Sequence, residues 1–202
     1  MTRVSVGADM RSKMIDAAIE MMEVGGESSV RVAKVAEIVG VTEPLVYHHF
    51  KNRSALVTAA YAEWYRRSQD LEVPIDRLMM MVSNQEEYER ALRTSLSWSY
   101  RPERIQARSV RLAVIGAVQT NPELAVAINE INRSFLQSLA KSTEYAQSQG
   151  WVRADLDPLA SAYWLHGQIN GRVVAEMDEG CIDLATWDDI SFDAIFSLIR
   201  PR

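Results

Sequence analysis

The sequence predicts an all-α fold of about nine helices, and three observations support this prediction. Apolar residues recur at spacings of three and four along most of the 202 residues. Proline follows a capping residue at Asn121-Pro122 and at Asp157-Pro158, which is typical of helix starts. Glycine follows the apolar stripes, as at Gly40 and Gly150, and we find no convincing strand, repeat or low-complexity segment.

The amino-terminal part is predicted to form three helices followed by a long fourth one. These helices are expected over residues 11–24, 30–39, 42–49 and 52–71. Gly40 can adopt the left-handed conformation that ends the second helix, and Thr42 can cap the third. The tight turn between them has helix-turn-helix geometry, in which the third helix can enter a major groove about 12 Å wide.

The rest of the chain is predicted to form a helical bundle. Its helices are expected over residues 74–82, 86–99, 102–119, 122–150, 158–179 and 186–199. Thr186 is the expected first residue of the last helix. We place the domain boundary between residues 53 and 54, so that residues 1–53 form one domain and residues 54–202 the other.

Composition excludes several classes of protein. Apolar residues make up 48% of the chain and charged residues 24%, which is typical of a globular domain. The lone Cys181 cannot form an intrachain disulfide, and no apolar run approaches the ~18 residues of a membrane span. The first residues lack the apolar stretch of a signal peptide. We therefore expect a cytoplasmic protein with no membrane partner.

Charge is distributed unevenly along the chain. The net charge is −5, yet residues 1–67 carry nine cationic and eight acidic side chains. The remaining residues carry thirteen cationic and nineteen acidic side chains. Because residues 68–202 are acidic and residues 1–67 are nearly neutral, only residues 1–67 can contact a polyanion. Purely electrostatic, non-specific binding is therefore not expected.

Residues 11–56 carry a specific pattern, which consists of Ile15, Ala18, Gly25, Val35, Ala36, Gly40, Val41, Thr42 and the run from Leu45 to Leu56. In these residues the segment resembles the DNA-binding domain of TetR-type transcriptional regulators. That run is close to the family signature of leucine, tyrosine, an aromatic residue, phenylalanine, a basic residue and leucine. The second helix departs from the pattern, because Arg31 and Ala33 stand where the family commonly has threonine and arginine.

The resemblance implies a double-stranded DNA interface on the third helix and its flanks. The expected DNA-contacting residues are Ser29, Arg31, Thr42, Glu43, Pro44, Leu45, Tyr47, His48, Lys51 and Arg53. The resemblance implies that the Tyr47 hydroxyl reaches a phosphate, and a core aromatic is the alternative for this residue. Ser29 can cap the second helix and add a contact. Glu43 can accept from a cytosine amino group or simply interact with the helix dipole, and both interpretations stay open.

The last two helices are predicted to form a homodimer interface. The expected interface residues are Tyr163, Trp164, Gly167, Gly171, Val174, Phe192 and Phe196. Glycines four residues apart allow close helix approach, while the aromatic residues supply apolar area; ordinary intrachain packing is the alternative. His166 is expected to be a hydrogen-bonded interface residue. A two-fold dimer would place two recognition helices about 34 Å apart and would bind a palindromic operator.

The resemblance also implies a pocket for a small-molecule effector, whose identity the sequence does not reveal. The candidate lining residues are Trp64, Met79, Met80, Tyr88, Trp98 and Arg108, although such side chains are more often plain core. Arg104, Arg108 and Arg111 recur at helical spacing. A solvated face is the expected explanation of that stripe, and binding of an anionic effector is the alternative.

Together these features predict a ligand-responsive, DNA-binding regulator, most simply a repressor that a small molecule releases from its operator. No glycine-rich phosphate loop or metal-ligand spacing is present, so neither an enzyme nor a bound cofactor is expected. A helical module that binds protein instead of DNA is the alternative. Binding to duplex DNA in a sequence-dependent manner would separate these hypotheses.

Overall fold

A computed structural model describes residues 3–69, 81–178 and 180–201. Within these ranges the chain forms nine α-helices and no strand, which confirms the predicted all-α fold. The helices are α1 (Arg3–Gly25), α2 (Val32–Val39), α3 (Glu43–His49), α4 (Arg53–Gln69), α5 (Gln85–Tyr100), α6 (Ile105–Ala117), α7 (Pro122–Ser148), α8 (Pro158–Glu176) and α9 (Leu184–Ile199). Short 3₁₀ turns occupy Glu27–Ser29 and Pro102–Arg104. Most of the helix expected over 74–82, with Met79 and Met80, lies outside the described residues.

The chain divides into two compact units, of which the first comprises residues 1–67 and 116–128. Its core contains Met14 and Ala18 of α1, Val35 of α2, Val46 of α3 and Leu56 of α4, each at most 1% exposed. These residues occupy one stripe of each helix, so the apolar periodicity seen in the sequence is the reason that α1 to α4 pack together.

The turn between α2 and α3 depends on Gly40. This residue has φ 74° and ψ 37°, a left-handed conformation that costs a residue with a Cβ about 1–2 kcal/mol. It allows the Val41 amide to donate to the Ala36 carbonyl at 2.9 Å, which closes the end of α2. At the far end of α3, Phe50 is buried, with the Arg11 guanidinium 4.9 Å from the centre of its ring.

The loop before α2 is held by side chains on both of its sides. The Ser29 hydroxyl lies 2.6 Å from both the Met21 and the Gly26 carbonyl oxygens, so its one hydrogen can be donated to either. The predicted capping of α2 by Ser29 is therefore wrong, because this hydroxyl is turned toward α1 and Arg31 occupies the cap position. On the other side, Arg53 donates to the Val30 carbonyl at 2.7 Å and to the Glu27 carbonyl at 2.5 Å.

The second unit comprises residues 68–115 and 129–202. Its main apolar cluster joins Leu92 and Leu96 of α5 to Phe192, Ile195 and Phe196 of α9. Local capping sets the helix starts. The side chains of Asn84, Asp157 and Asp183 accept from first-turn amides of α5, α8 and α9. The last helix therefore begins at Leu184, two residues before the predicted Thr186, because Asp183 is the cap.

Four charged residues form an ionic network in the second unit, in which Asp188 is half-buried and the other three side chains are buried. The Glu176 carboxylate of α8 accepts from both Arg108 of α6 and Arg172 of α8. Arg172 also donates to Asp188 of α9 at 2.6 Å. Arg108 donates further to the Ser99 carbonyl at 2.6 Å. Two cations and two carboxylates thus neutralise one another where α5, α6, α8 and α9 meet.

Two further findings concern chain organisation. None of the helices described is long and apolar enough to cross a membrane. α4 begins at Arg53 and ends at Gln69, so the last residues of this helix belong to the second unit. The functional division at residues 53 and 54 stays a prediction.

Candidate functional site

The short helix α3 presents a polar face to solvent. Tyr47 is 49% exposed, and Thr42, Glu43, Pro44 and His48 are exposed as well. The opposite side of the helix carries Val46, which is 1% exposed, while Leu45 is half-buried. The apolar residues needed to hold α3 in place are therefore separate from the residues available for a ligand.

Two polar side chains at the start of α3, those of Thr42 and Glu43, make no hydrogen bond or ion pair with the residues that the structure describes. Thr42 occupies the cap position, yet its hydroxyl makes no capping hydrogen bond. Glu43 lies beside it in the first turn, where a carboxylate interacts favourably with the helix dipole. Both side chains can therefore be used for hydrogen bonds to a nucleic acid, the hydroxyl as a donor to phosphate and the carboxylate as an acceptor.

The two adjacent histidines of α3 point in different directions. The His48 ring is exposed, whereas His49 is half-buried, and the two rings meet edge to face with centroids 5.5 Å apart. His48 therefore lies with the outward residues of α3. Consecutive positions of a helix point roughly 100° apart, which is the reason that the two rings differ in exposure.

Of the four predicted DNA contacts that flank α3, two are exposed and two already make hydrogen bonds within the chain. Arg31 at the start of α2 and Lys51 just after α3 are both exposed. Arg53 already donates to two backbone carbonyls, and Ser29 is half-buried against the end of α1. The geometry thus gives both residues a role in holding the loop before α2, and contact of any of these four residues with DNA stays a prediction.

A continuous strip of α8 is open to solvent. Tyr163, Trp164 and Val174 are 51%, 38% and 70% exposed, and Gly167 and Gly171 lie between them with nothing within 4 Å of a Cβ built on either residue. These five predicted interface residues share one helix face. Their contact with a second copy of the chain stays a prediction.

The predicted interface ridge on α9 requires a correction. Phe192 and Phe196 are both 5% exposed and belong to the apolar core of their own chain. The Arg93 guanidinium lies 4.4 Å from the centre of the Phe192 ring and 5.1 Å from that of Phe196. These rings cannot supply surface to a partner, whereas Ile190 on another side of α9 is 65% exposed.

The predicted pocket residues are found in different surroundings. Tyr88 is buried, with its ring 6.2 Å from Trp151, and burial raises the pKa of its hydroxyl to about 12. Trp98 is half-buried beneath the Arg104 guanidinium at 4.1 Å. Trp64 of the first unit is half-buried. Their assignment to an effector pocket stays a prediction.

The expected solvated arginine stripe is wrong for two of its three members. Arg108 is 1% exposed and Arg111 is 5% exposed. Arg108 is neutralised by Glu176, which lies 68 residues further along the chain, and Arg111 donates to the Ser68 carbonyl. Their helical spacing predicted that these cations share one helix face. It could not predict their burial, because the groups that pair with them lie far away along the chain.

His166 also differs from the prediction of a hydrogen-bonded interface residue. Its ring is 8% exposed within its own chain, and neither ring nitrogen has a partner among the described residues. Burial, followed by the charge of Arg111, lowers the pKa of the imidazole to about 4, so the ring is neutral at pH 7. The ring lines a narrow cavity of about 40 Å³ between α5, α6, α7 and α8.

Comparisons with known proteins agree with this geometry. Residues 14–60 match the family model described as bacterial regulatory proteins, tetR family. The class D tetracycline repressor protein of Escherichia coli is 34% identical over 64 residues, which are 32% of this chain and 29% of that protein. This match therefore spans under a third of the length of the repressor.

Solved structures extend the likeness in fold to the whole chain. A structure from Mesorhizobium loti MAFF303099, assigned to the TetR family of transcriptional regulators, has a TM-score of 0.74 at 18% identity and covers 100% of both chains. The transcriptional regulator FadR of Bacillus subtilis, solved with stearoyl-CoA, has a TM-score of 0.64 at 21% identity over 94% of this chain and 99% of its own. Residues 14–60 are therefore similar to the tetR family of bacterial regulatory proteins, and the whole chain shares the fold of these solved structures.

Proposed function

We propose that the chain is a ligand-responsive transcriptional regulator that binds a palindromic DNA operator as a homodimer and is released by a small molecule, which makes it a repressor. The observation that carries this proposal is the outward face of α3, where Thr42, Glu43, Tyr47 and His48 are exposed beside a buried Val46. Val46 is the buried residue that anchors this seven-residue helix, so the exposed Tyr47 is available for a contact outside the chain.

DNA recognition is assigned to two kinds of contact. Thr42, Tyr47, Lys51 and Arg31 would contact phosphates and orient α3 in the major groove. Glu43, Pro44 and Leu45 would face the base edges, with the carboxylate accepting from cytosine and the apolar pair contacting thymine methyl groups. His48, Arg53 and Ser29 would complete the interface.

The proposal is tested by electrophoretic mobility shift on DNA upstream of the protein's own gene. Tyr47→Phe should weaken binding to all sequences, while Tyr145→Phe, which removes a hydroxyl from the second unit, should leave affinity unchanged. Glu43→Ala should relax the base preference at one position in each half-site by about 1–3 kcal/mol. Unchanged affinity and preference in both α3 variants would refute the docking of α3.

The homodimer is assigned to the open strip of α8. Gly167 and Gly171 carry no Cβ, so a second helix can approach the backbone closely there, and the exposed Tyr163, Trp164 and Val174 supply apolar area. Gly171→Leu should raise the dimer dissociation constant in sedimentation equilibrium. Gly116→Leu, on the exposed side of α6, is the matched control. A dimer that tolerates Gly171→Leu would exclude this strip as the interface.

Release of the operator is assigned to an effector that binds the second unit. Binding would favour a state whose two α3 helices are wrongly spaced for adjacent grooves, and operator affinity would fall by the difference in binding free energy. FadR of Bacillus subtilis, solved with stearoyl-CoA, offers a precedent at the level of fold. We assign no catalytic activity to the chain, and a regulator of this kind acts in the cytoplasm, where bacterial DNA is found.

A further inference from the structure

The two adjacent histidines of α3 are the imidazoles that can change charge near neutral pH. The chain has three histidines, which are His48, His49 and His166. Imidazole is the side chain that ordinarily gains or loses its proton between pH 5 and 8. Burial lowers the pKa of His166 to about 4, so that ring stays neutral between pH 6 and 8. A change of imidazole charge in this range therefore belongs to the two rings on α3.

His48 is the ring of this pair that can present a charge to a ligand. It is exposed and makes no hydrogen bond or ion pair with the residues that the structure describes, whereas His49 is half-buried. The two rings meet edge to face, with centroids 5.5 Å apart. A charge on one ring disfavours a charge on the other, so the pair is expected to hold one proton and not two.

The charged side chains around α3 place no carboxylate against the His48 ring. Glu43 lies on the same helix but five positions earlier, which is roughly 140° around it. Lys34 and Glu37 of α2, which packs against α3, pair with each other at 2.9 Å. The other flanking charges are cations, namely Arg11 over the Phe50 ring, Arg31 before α2, and Lys51 and Arg53 after α3. A counter-charge for a protonated His48 must therefore come from outside the chain.

We propose that each copy of α3 binds DNA together with one proton, which His48 takes up against a backbone phosphate, so that the affinity for DNA rises as the pH falls. This inference rests on the proposed function, because it adds a regulating proton to the DNA contact of α3. A neutral imidazole has one N–H donor, whereas the protonated ring has two and a positive charge. Hydrogen bonds between charged groups are roughly twice as strong as neutral ones, so a phosphate favours the protonated ring.

The expected gain follows from the attraction between the two charges. An opposite charge within about 4–6 Å of an ionisable group favours its charged form by about tenfold or more. The lower figure applies to an exposed ring, because salt screens it. Since protonation is partial at both ends of the range, the affinity should rise about fivefold per copy of α3 between pH 8 and pH 6. A dimer with two copies should gain about 25-fold.

Fluorescence anisotropy of the full chain with two duplexes measures this gain. One duplex is the DNA upstream of the protein's own gene, and the other is an unrelated sequence of the same length. A phosphate contact carries no base information, so both duplexes should show the gain. At pH 6 the logarithm of the affinity should also fall more steeply with the logarithm of the salt concentration than at pH 8. The slope should differ by about 0.9 per copy of α3, because one more phosphate is neutralised.

Calorimetry and two variants identify the proton and its site. Titrations in phosphate and in Tris buffers, whose ionisation enthalpies differ, should count about one proton taken up per chain. His48→Gln keeps a hydrogen-bond donor but cannot take up the proton, so it should lose both the gain at low pH and the extra salt dependence. His49→Gln is the matched control on the same helix and should retain both effects.

The outcomes distinguish failure of the proton linkage from failure of the proposed function. Equal affinity at pH 6 and pH 8, or a gain that survives in His48→Gln, would overturn the linkage and leave DNA binding standing. A gain that disappears only in His49→Gln would overturn the assignment to His48. A chain that binds neither duplex at any pH would refute the proposed function, and the linkage would fall with it.

Discussion

Glu176→Gln tests the buried ionic network with a change of nearly constant volume. Glu176 is the carboxylate that Arg108 and Arg172 share, and its side chain is only 6% exposed. After the change, Arg172 keeps Asp188 at 2.6 Å, whereas Arg108 keeps only backbone carbonyls such as that of Ser99. The variant therefore leaves one guanidinium buried without a carboxylate partner.

The expected cost follows from this burial. Breaking a buried ion pair by removing one partner costs about 3–5 kcal/mol. For a protein of this length, each kcal/mol corresponds to roughly 2–4 °C in Tm, so the fall should be about 6–20 °C. Thermal unfolding followed by far-ultraviolet circular dichroism measures it. Glu86→Gln is the matched control, because its ion pair with Arg90 is exposed and contributes less than about 0.5 kcal/mol.

A comparison of single and double variants identifies the mechanism. If the cost arises from an uncompensated Arg108 charge, Arg108→Met combined with Glu176→Gln should destabilise less than the sum of the two single changes. If the Glu176→Gln variant has the same Tm as the Glu86→Gln control, the network contributes nothing to stability. Strict additivity would show that the two side chains act independently.

Two further predictions concern the pH dependence of stability and the turn at Gly40 between α2 and α3. In the unfolded chain His166 is protonated below about pH 6.5, whereas burial lowers the pKa of the folded ring to about 4. The unfolded state therefore binds more protons in this range, and the free energy of unfolding should fall by about 3 kcal/mol as the pH is lowered from 6.5 to 4. His166→Leu should remove this loss in urea titrations at several pH values, and a persisting loss would assign it elsewhere. Gly40→Ala should cost about 1–2 kcal/mol because its φ is 74°. Gly116→Ala, in a helix with open space around it, should instead stabilise by up to about 1 kcal/mol, and equal effects would contradict the conformational argument.

The elements most accurately predicted from sequence are those set by local chemistry. Gly40 ends α2 in the left-handed conformation, and the Asn121-Pro122 and Asp157-Pro158 pairs open α7 and α8 as expected. A cap or a helix-ending glycine acts within a few residues, so its signal lies in the sequence itself. The apolar stripe of α3, with Val46 inside and Tyr47 outside, follows for the same reason.

The errors concern partners that are distant along the chain. Periodicity could not show whether Phe192 and Phe196 face their own core or a second copy, because both surroundings select apolar side chains. The burial of Arg108 depends on Glu176, 68 residues away. The unsatisfied ring of His166 depends on four helices that meet around it. In each case the decisive contact is tertiary, and single-sequence patterns carry no information about it.

Arg53 has a mechanical consequence for the first unit. It is the first residue of α4, and its guanidinium spans two carbonyls, those of Glu27 and Val30, on the segment that leads into α2. Any rotation of the first turn of α4 must either break both hydrogen bonds or carry that segment with it. The start of α4 and the segment that leads into α2 consequently move together. A rotation of the first turn of α4 is therefore passed on to the start of α2.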